Sequence, residues 1–419
     1  YLKQRLGSDD NTQAQLFFIL GRTALKLLVA IDCLERQQLK RISADSTTKK
    51  SDADQTVSGT DDIHKELGLG SRDHLRHTIQ EQYRRCREDI MSEGSLWHSL
   101  SKNVVAFCKK KTQRLTNNTL ERVCAVMALS ELMIVSDKFC EKQLDLLFSI
   151  VSNAQESWVV KTNAVIALGD LACVHPSIVA PYMKDETSGF FQLLNDTDVR
   201  VRAVTIQVCS HLVLGDMLRV GKYLYILVKL VADPNEAIAK NAVTFVQNLA
   251  MKEKEKTGNL IPPLVDRLTS LVPSDKFQLA MRSLLERVEG DKPTESLIER
   301  LCQRFPPYSE CGVIKQKTAR NLAFCLHELS YVTERSIKKI TSEACYKHYK
   351  QWLREDAVLD YFKGIASKAK KVGQPVGSER RDRAAIEEWE TRMQIDSCSL
   401  EPVEEIPDNT SQHSGDESS

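Results

Sequence analysis

Twelve cysteines and nine histidines are the residues best able to do chemistry in this 419-residue chain, and their spacing argues against it. The cysteines stand singly, at 33, 86, 108, 124, 140, 173, 209, 302, 311, 325, 345 and 398. No CxxC pair and no histidine cluster occurs, so neither zinc-ligand nor thiol-redox spacing is present, and most of the thiols read as buried groups of a reducing compartment. The chain also lacks GxxxxGKS/T, GxGxxG, HExxH and GxSxG, the patterns that cradle phosphate, hold zinc or raise a nucleophile. His211 and His327 fall within repeated helical segments, where a structural role is expected. The expectation is therefore a chain with no enzymatic activity, no cofactor, no metal and no small-molecule substrate.

What the chain offers instead is clustered positive charge. The candidates for contact with duplex DNA are Lys109, Lys110, Lys111, Arg114, Arg219, Lys222, Arg335, Lys338, Lys339, Lys368, Lys370 and Lys371. A lysine set on a backbone phosphate releases condensed counterions, which strengthens binding in dilute salt without reading sequence. Few aromatics are interleaved, so base stacking is not expected. The competing reading of each cluster is a solvated helix face. Arg122, Lys161 and Arg202 form a separate set, each sitting ten residues before a repeated leucine. They are expected to form a ladder with acids of adjoining turns, Asp198 standing four before Arg202, or else a row of charge on a concave face. The last nineteen residues, Glu401 to Ser419, hold six acids and no Lys or Arg, so the formal charge of +1 is a basic body offset by an acidic tail.

The elements that position these groups read as helices. Apolar residues make up 42% of the chain but aromatics only 6%, which suits close helix-to-helix contact better than a sandwich core. Ala128-Leu129-Ser130-Glu131-Leu132 returns as Ala167-Leu168-Gly169-Asp170-Leu171, and Cys325-Leu326-His327-Glu328-Leu329 echoes both. Leu132, Leu171, Leu212, Leu249 and Leu329 mark a period near forty residues, the last interval being two periods. Within a period, apolar residues fall at helical spacing, as in Leu144, Leu147, Phe148 and Val151. Ser136-Asp137, His175-Pro176, Asn195 to Asp198 and Asp233 to Glu236 are turn and capping signals. A pair of amphipathic helices cannot bury its faces alone, so such pairs stack on their neighbours. The predicted fold is all-α, a HEAT-repeat α-solenoid built as a superhelix of antiparallel helix pairs.

Along the chain, residues 1–42 read as a helical segment continuing an upstream solenoid, with Leu16 to Ile31 as a buried helix too interrupted to span a membrane. Residues 43–62 are too polar to offset their ordering entropy and read as a disordered loop. Residues 63–350 form the repeat array, 351–395 the terminal helices and 396–419 a disordered acidic tail.

Thr162 to Ala172, His211 to Val220 with Asp233-Pro234, and above all Asp291-Lys292-Pro293-Thr294-Glu295-Ser296-Leu297-Ile298-Glu299-Arg300-Leu301-Cys302-Gln303-Arg304-Phe305 resemble the HEAT-repeat, non-SMC regulatory subunits of condensin. The likeness runs from the first helix to about Met393 and corresponds to the carboxy-terminal part of those longer proteins. It implies binding to the kleisin subunit, contact with double-stranded DNA and chromatin through basic HEAT surfaces, and regulation of the SMC ATPase subunits in mitotic chromosome condensation. It also implies location in the nucleus and on chromosomes, with a cytoplasmic pool. Met183 to Gly189 looks longer than the family pattern, and no Ser-Pro or Thr-Pro occurs, which departs from the proline-directed sites of family tails. The alternative is a HEAT peptide-binding adaptor of the transport or phosphatase-scaffold kind, without nucleic-acid contact.

Overall fold

The computed structural model describes residues 10–48, 71–110, 119–183, 189–218, 224–252, 257–308, 312–331, 334–372 and 379–398. Among them the chain is 87% helical with no strand, which excludes any sheet-based architecture. The chain divides into two compact units, residues 1–219 and 220–419. In the first lie α1 (Asp10–Thr48), α2 (Ser71–Ile90), α3 (Leu96–Lys109), α4 (Thr119–Val135), α5 (Asp137–Val151), α6 (Trp158–Val174), α7 (Pro176–Val179), α8 (Gly189–Gln192) and α9 (Val199–Leu214). In the second lie α10 (Leu224–Val228), α11 (Glu236–Lys252), α12 (Thr257–Leu271), α13 (Ser274–Leu285), α14 (Asp291–Cys302), α15 (Val313–Glu328), α16 (Glu334–Thr341), α17 (Glu343–Tyr349), α18 (Asp356–Val372) and α19 (Glu379–Cys398).

Within each unit the pairs stack in chain order. In the first, α1 packs along α4, α4 along α6 and α6 along α9, while α3 lies on α4 and α5 touches both α4 and α6. In the second, α11 packs on α13, α13 on α15 and α15 on α18, and α12 lies across α13, α14 and α15. This is the neighbour-to-neighbour packing of a HEAT-repeat solenoid. The marks Leu132, Leu171, Leu212, Leu249 and Leu329 are all 5% exposed or less, so the repeated position is the seam between second helices. The double interval before Leu329 contains α13. Each such leucine contributes about 1.5–3 kcal/mol by leaving water. Helix α6 is flanked by α4 and α9, and it is apolar almost all round: Val160, Ala164, Leu168, Leu171 and Ala172 are buried on several faces.

Two glycines mark where backbones approach. A Cβ on Gly169 would stand 2.6 Å from Val208 Cγ1, which ties the mid-helix glycine to the α6–α9 crossing. A Cβ on Gly21 would stand 2.9 Å from Ala128 Cα, the equivalent crossing of α1 over α4. The caps follow the turn chemistry. Ser136 Oγ accepts from the Phe139 amide at 3.3 Å, Asp198 Oδ1 from Arg200 at 2.8 Å and Asn235 Oδ1 from Ala237 at 3.1 Å. Pro176 opens α7, whereas Pro234 precedes the capping Asn235 instead of lying in the first turn.

Four expectations are corrected by the structure. Helix α1 runs through Thr48, past the loop boundary at 43, because the Ser, Asp and Thr residues there oppose burial without forbidding a helix; residues 49–62 lie outside the described residues, as does the restart at 63. Leu16 to Ile31 is only half buried: Phe17, Leu20 and Ala24 are buried, while Phe18 and Ile19 are exposed. The first members of the third and fourth pairs are not single helices. They are broken into short turns, with Ala180–Met183, Leu193–Asn195 and Lys229–Ala232 in 3-10 form. The stretch 184–188 within the long turn is outside the described residues. Finally, α19 continues to Cys398, because Asp396 accepts the Tyr346 hydroxyl at 2.6 Å and pairs with Lys350 at 3.1 Å. The tail beyond 398 is outside the described residues. Among the described residues no single helix is long and apolar enough to cross a membrane.

Candidate nucleic-acid interface and the adjoining groove

The ladder residues come first because they are the most buried cations. Arg122, near the start of α4, is 5% exposed. Its Nη2 lies 2.9 Å from Glu156 Oε2, while its Nη1 donates to the carbonyls of Cys108 at 2.8 Å and Phe107 at 3.2 Å. One guanidinium therefore joins the turn before α6 to the open carbonyl end of α3, using the fork that Lys lacks. One repeat later, Lys161 in α6 meets Asp196 in the turn before α9, Nζ to Oδ2 at 2.7 Å, with both side chains buried. Each rung thus reaches forward into the turn of the next pair. In the third member of the set, Arg202 Nη1 donates to the Asp196 carbonyl at 2.8 Å, and Asp198 is paired with Arg200 at 2.7 Å. The sequence spacing pointed to Asp198 for Arg202, but the capping geometry orients that carboxylate toward Arg200. Arg200 in turn stacks 3.8 Å above the Trp158 ring. Arg122 and Lys161 are not presented to solvent, so a solvent-facing row of charge does not form there.

The DNA candidates fall into three groups. Lys111, Arg114, Arg219 and Lys222 lie outside the described residues, as does the side chain of Lys371. Lys339, Lys368 and Lys370 already hold internal partners. Lys339 pairs with Glu299 at 2.7 Å, Lys370 with Glu390, and Lys368 Nζ donates to the His327 carbonyl at 2.6 Å. Burial, the largest influence, pulls Lys368 below the ordinary lysine range. Lys109, Lys110, Arg335 and Lys338 are exposed; Lys110 leans over the Phe107 ring at 5.6 Å. Three arginines of α2 are also occupied, Arg84 and Arg85 by Glu81 and Arg87 by Asp32 and Glu35. Hydrogen bonds from Arg84, the largest influence, and Arg85 hold Glu81 at about 2.

Lys109 is not an isolated surface charge. It lines a cavity of about 640 Å³ between α3 and α5, closed at one end by the α2–α3 turn. Lys102, Val105, Ala106 and Lys109 share one face of α3 by their spacing, and Lys138, Phe139 and Lys142 face them from α5. Lys138 pairs with Glu88 at 3.1 Å. Lys102, Lys109 and Lys142 have no ion-pair partner among the described residues. The sequence reading missed Lys102, Lys138 and Lys142. Helical spacing alone could have placed Lys102 beside Lys109, but only the stacking of pairs sets α5 opposite. Among the described residues no group of three or more His, Cys, Asp or Glu side chains could hold a metal ion.

Comparison with known proteins bears on the same segments. Residues 159–327, from α6 to the end of α15, match the family described as non-SMC mitotic condensation complex subunit 1. The chain is 30% identical over 414 residues to condensin-1 complex subunit CAP-D2 of Arabidopsis thaliana, covering 96% of this chain and 28% of that protein. It is 28% identical over 387 residues to condensin complex subunit 1 of Mus musculus, covering 90% of this chain and 26% of that protein. With the Saccharomyces cerevisiae protein the figures are 26% over 329 residues, 77% and 27%. The chain thus spans little more than a quarter of the length of these relatives. Residues 159–327 belong to the family of non-SMC mitotic condensation complex subunit 1, and similarity to condensin complex subunit 1 proteins extends over most of the chain.

Proposed function

We propose that the chain acts as a non-catalytic HEAT-repeat part of a condensin complex, binding the kleisin subunit and duplex DNA and regulating the SMC ATPase subunits during mitotic chromosome condensation in the nucleus. The observation that carries this reading is the family match over α6 to α15 together with similarity over 96% of the chain. Two features support it. Stacked helix pairs present extended surfaces, as suits a scaffold that holds partner chains. The exposed cations Lys110 and Arg335 supply a sequence-independent attraction for phosphate. The test is co-expression of the 419-residue chain with the kleisin and SMC subunits of its own cell, followed by size-exclusion chromatography and a duplex-retention assay over a salt series. Co-elution with kleisin, and retention falling steeply as salt rises with little dependence on DNA sequence, are expected. A chain that elutes apart from kleisin removes the condensin role, and one that ignores duplex in dilute salt removes the DNA role.

A further inference from the structure

We propose that the groove between α3 and α5 is a docking site for a short acidic peptide segment of a partner protein, one that places an apolar side chain on the floor and carboxylates against the lysine walls. The groove has the right size. About 640 Å³ falls within the ~300–1,000 Å³ of sites that enclose a small ligand or a few side chains. Its floor is apolar, formed by Val105, Ala106 and the half-buried ring of Phe139. Its rims are basic. Lys102 and Lys109 stand seven residues apart on α3, so about 10 Å along the axis, and Lys138 and Lys142 stand one turn apart on α5.

Three of those ammonium groups lack an internal carboxylate among the described residues, in contrast to Lys339 and Lys370, which have one. Four lysines around a cavity repel one another, and an acidic occupant relieves that repulsion while the apolar floor leaves water. The groove also has polarity. Glu88, Asp89 and Glu93 border the end made by the α2–α3 turn, and Glu88 is already held by Arg84 and Lys138. A peptide can run its acids along the lysines and stop, or carry a basic residue, at that end.

The same features disfavour nucleic acid here. A duplex backbone carries negative charge at every step, so it would meet the Asp89 and Glu93 carboxylates, and its sugar-phosphate edge would leave the apolar floor unfilled. Lys109, a DNA candidate by sequence, is thereby assigned to peptide contact. The assignment goes beyond the condensin reading and does not depend on it.

The experiment uses the 419-residue chain and a fluorescein-labelled peptide in which Glu and Asp flank a central Leu-Phe pair, followed by anisotropy. One control peptide replaces the acids by Lys, and a second replaces Leu-Phe by Ser. Binding of the acidic peptide is expected, with both controls weaker. Lys102→Glu combined with Lys142→Glu should weaken it by about tenfold or more, since each change turns an attraction into a repulsion. Both positions are exposed, so helicity by circular dichroism should be unchanged. Retention of duplex DNA should also be unaffected by this pair of changes, which keeps the groove's role separable from the DNA role. No binding, equal binding of either control, no effect of the double charge reversal, or displacement of the peptide by duplex DNA would each overturn the proposal.

Discussion

Removing the Arg122 guanidinium tests the forward-reaching rung most severely. In Arg122→Met the Glu156 carboxylate, 1% exposed at its side chain, is left buried without the cation that faces it at 2.9 Å, and the Cys108 carbonyl loses a 2.8 Å donor. Breaking a buried pair in this way costs about 3–5 kcal/mol, because the carboxylate stays out of water after losing its facing guanidinium. The lost carbonyl bond adds about 1 kcal/mol, and the retained methionine stem recovers part of the packing. A net loss near 4 kcal/mol should lower the urea midpoint of the first unit by at least about 1 M, given slopes of about 1–3 kcal/mol/M. The unit can be followed alone: Trp97 and Trp158 lie in residues 1–219, and Trp352 and Trp389, replaced by Phe, fall silent in the second unit. Removing both charges in Arg122→Met with Glu156→Leu should restore most of the loss, because replacing a buried pair by apolar groups of like volume is often neutral. A single variant costing under about 1 kcal/mol, or a double variant no better than the single, would refute the reasoning.

Gly169→Ala should destabilise the first unit by about 1–3 kcal/mol despite better helix propensity, since the new methyl meets Val208 Cγ1; adding Val208→Ala should relieve the clash and recover stability in the same urea assay. Asp198→Ala removes the cap of α9 and should cost about 1 kcal/mol at neutral pH. The hydrogen bond from Arg200, the largest influence, holds the Asp198 carboxyl at about 2, below the ordinary aspartate range. Its contribution is therefore fully present above pH 4 and is lost as pH falls through about 2, so the gap between wild type and variant should narrow over that window. A gap unchanged between pH 5 and pH 2.5, followed by amide exchange in α9, would count against the carboxylate as its source.

The repeat period, the helix type and most of the caps were legible in the sequence, because they depend on residues within one turn or one hairpin of each other. Ser136, Asp198 and Asn235 cap helices through their own neighbours' amides, and Leu132, Leu171 and Leu212 are marked by periodicity alone. The sequence by itself thus determined an all-α chain of paired helices, where its punctuation falls, and the absence of the usual catalytic patterns. Only the tertiary structure decided which charges are free. Asp198 turns from Arg202 to Arg200, Glu156 and Asp196 reach back to Arg122 and Lys161 across about one repeat, and Lys339 and Lys370 meet acids on other helices. The physical reason is distance along the chain. A hydrogen bond between neighbours is dictated by backbone geometry, whereas a contact between residues one repeat apart depends on how successive pairs are packed, and the same packing sets Lys102 and Lys109 opposite Lys142.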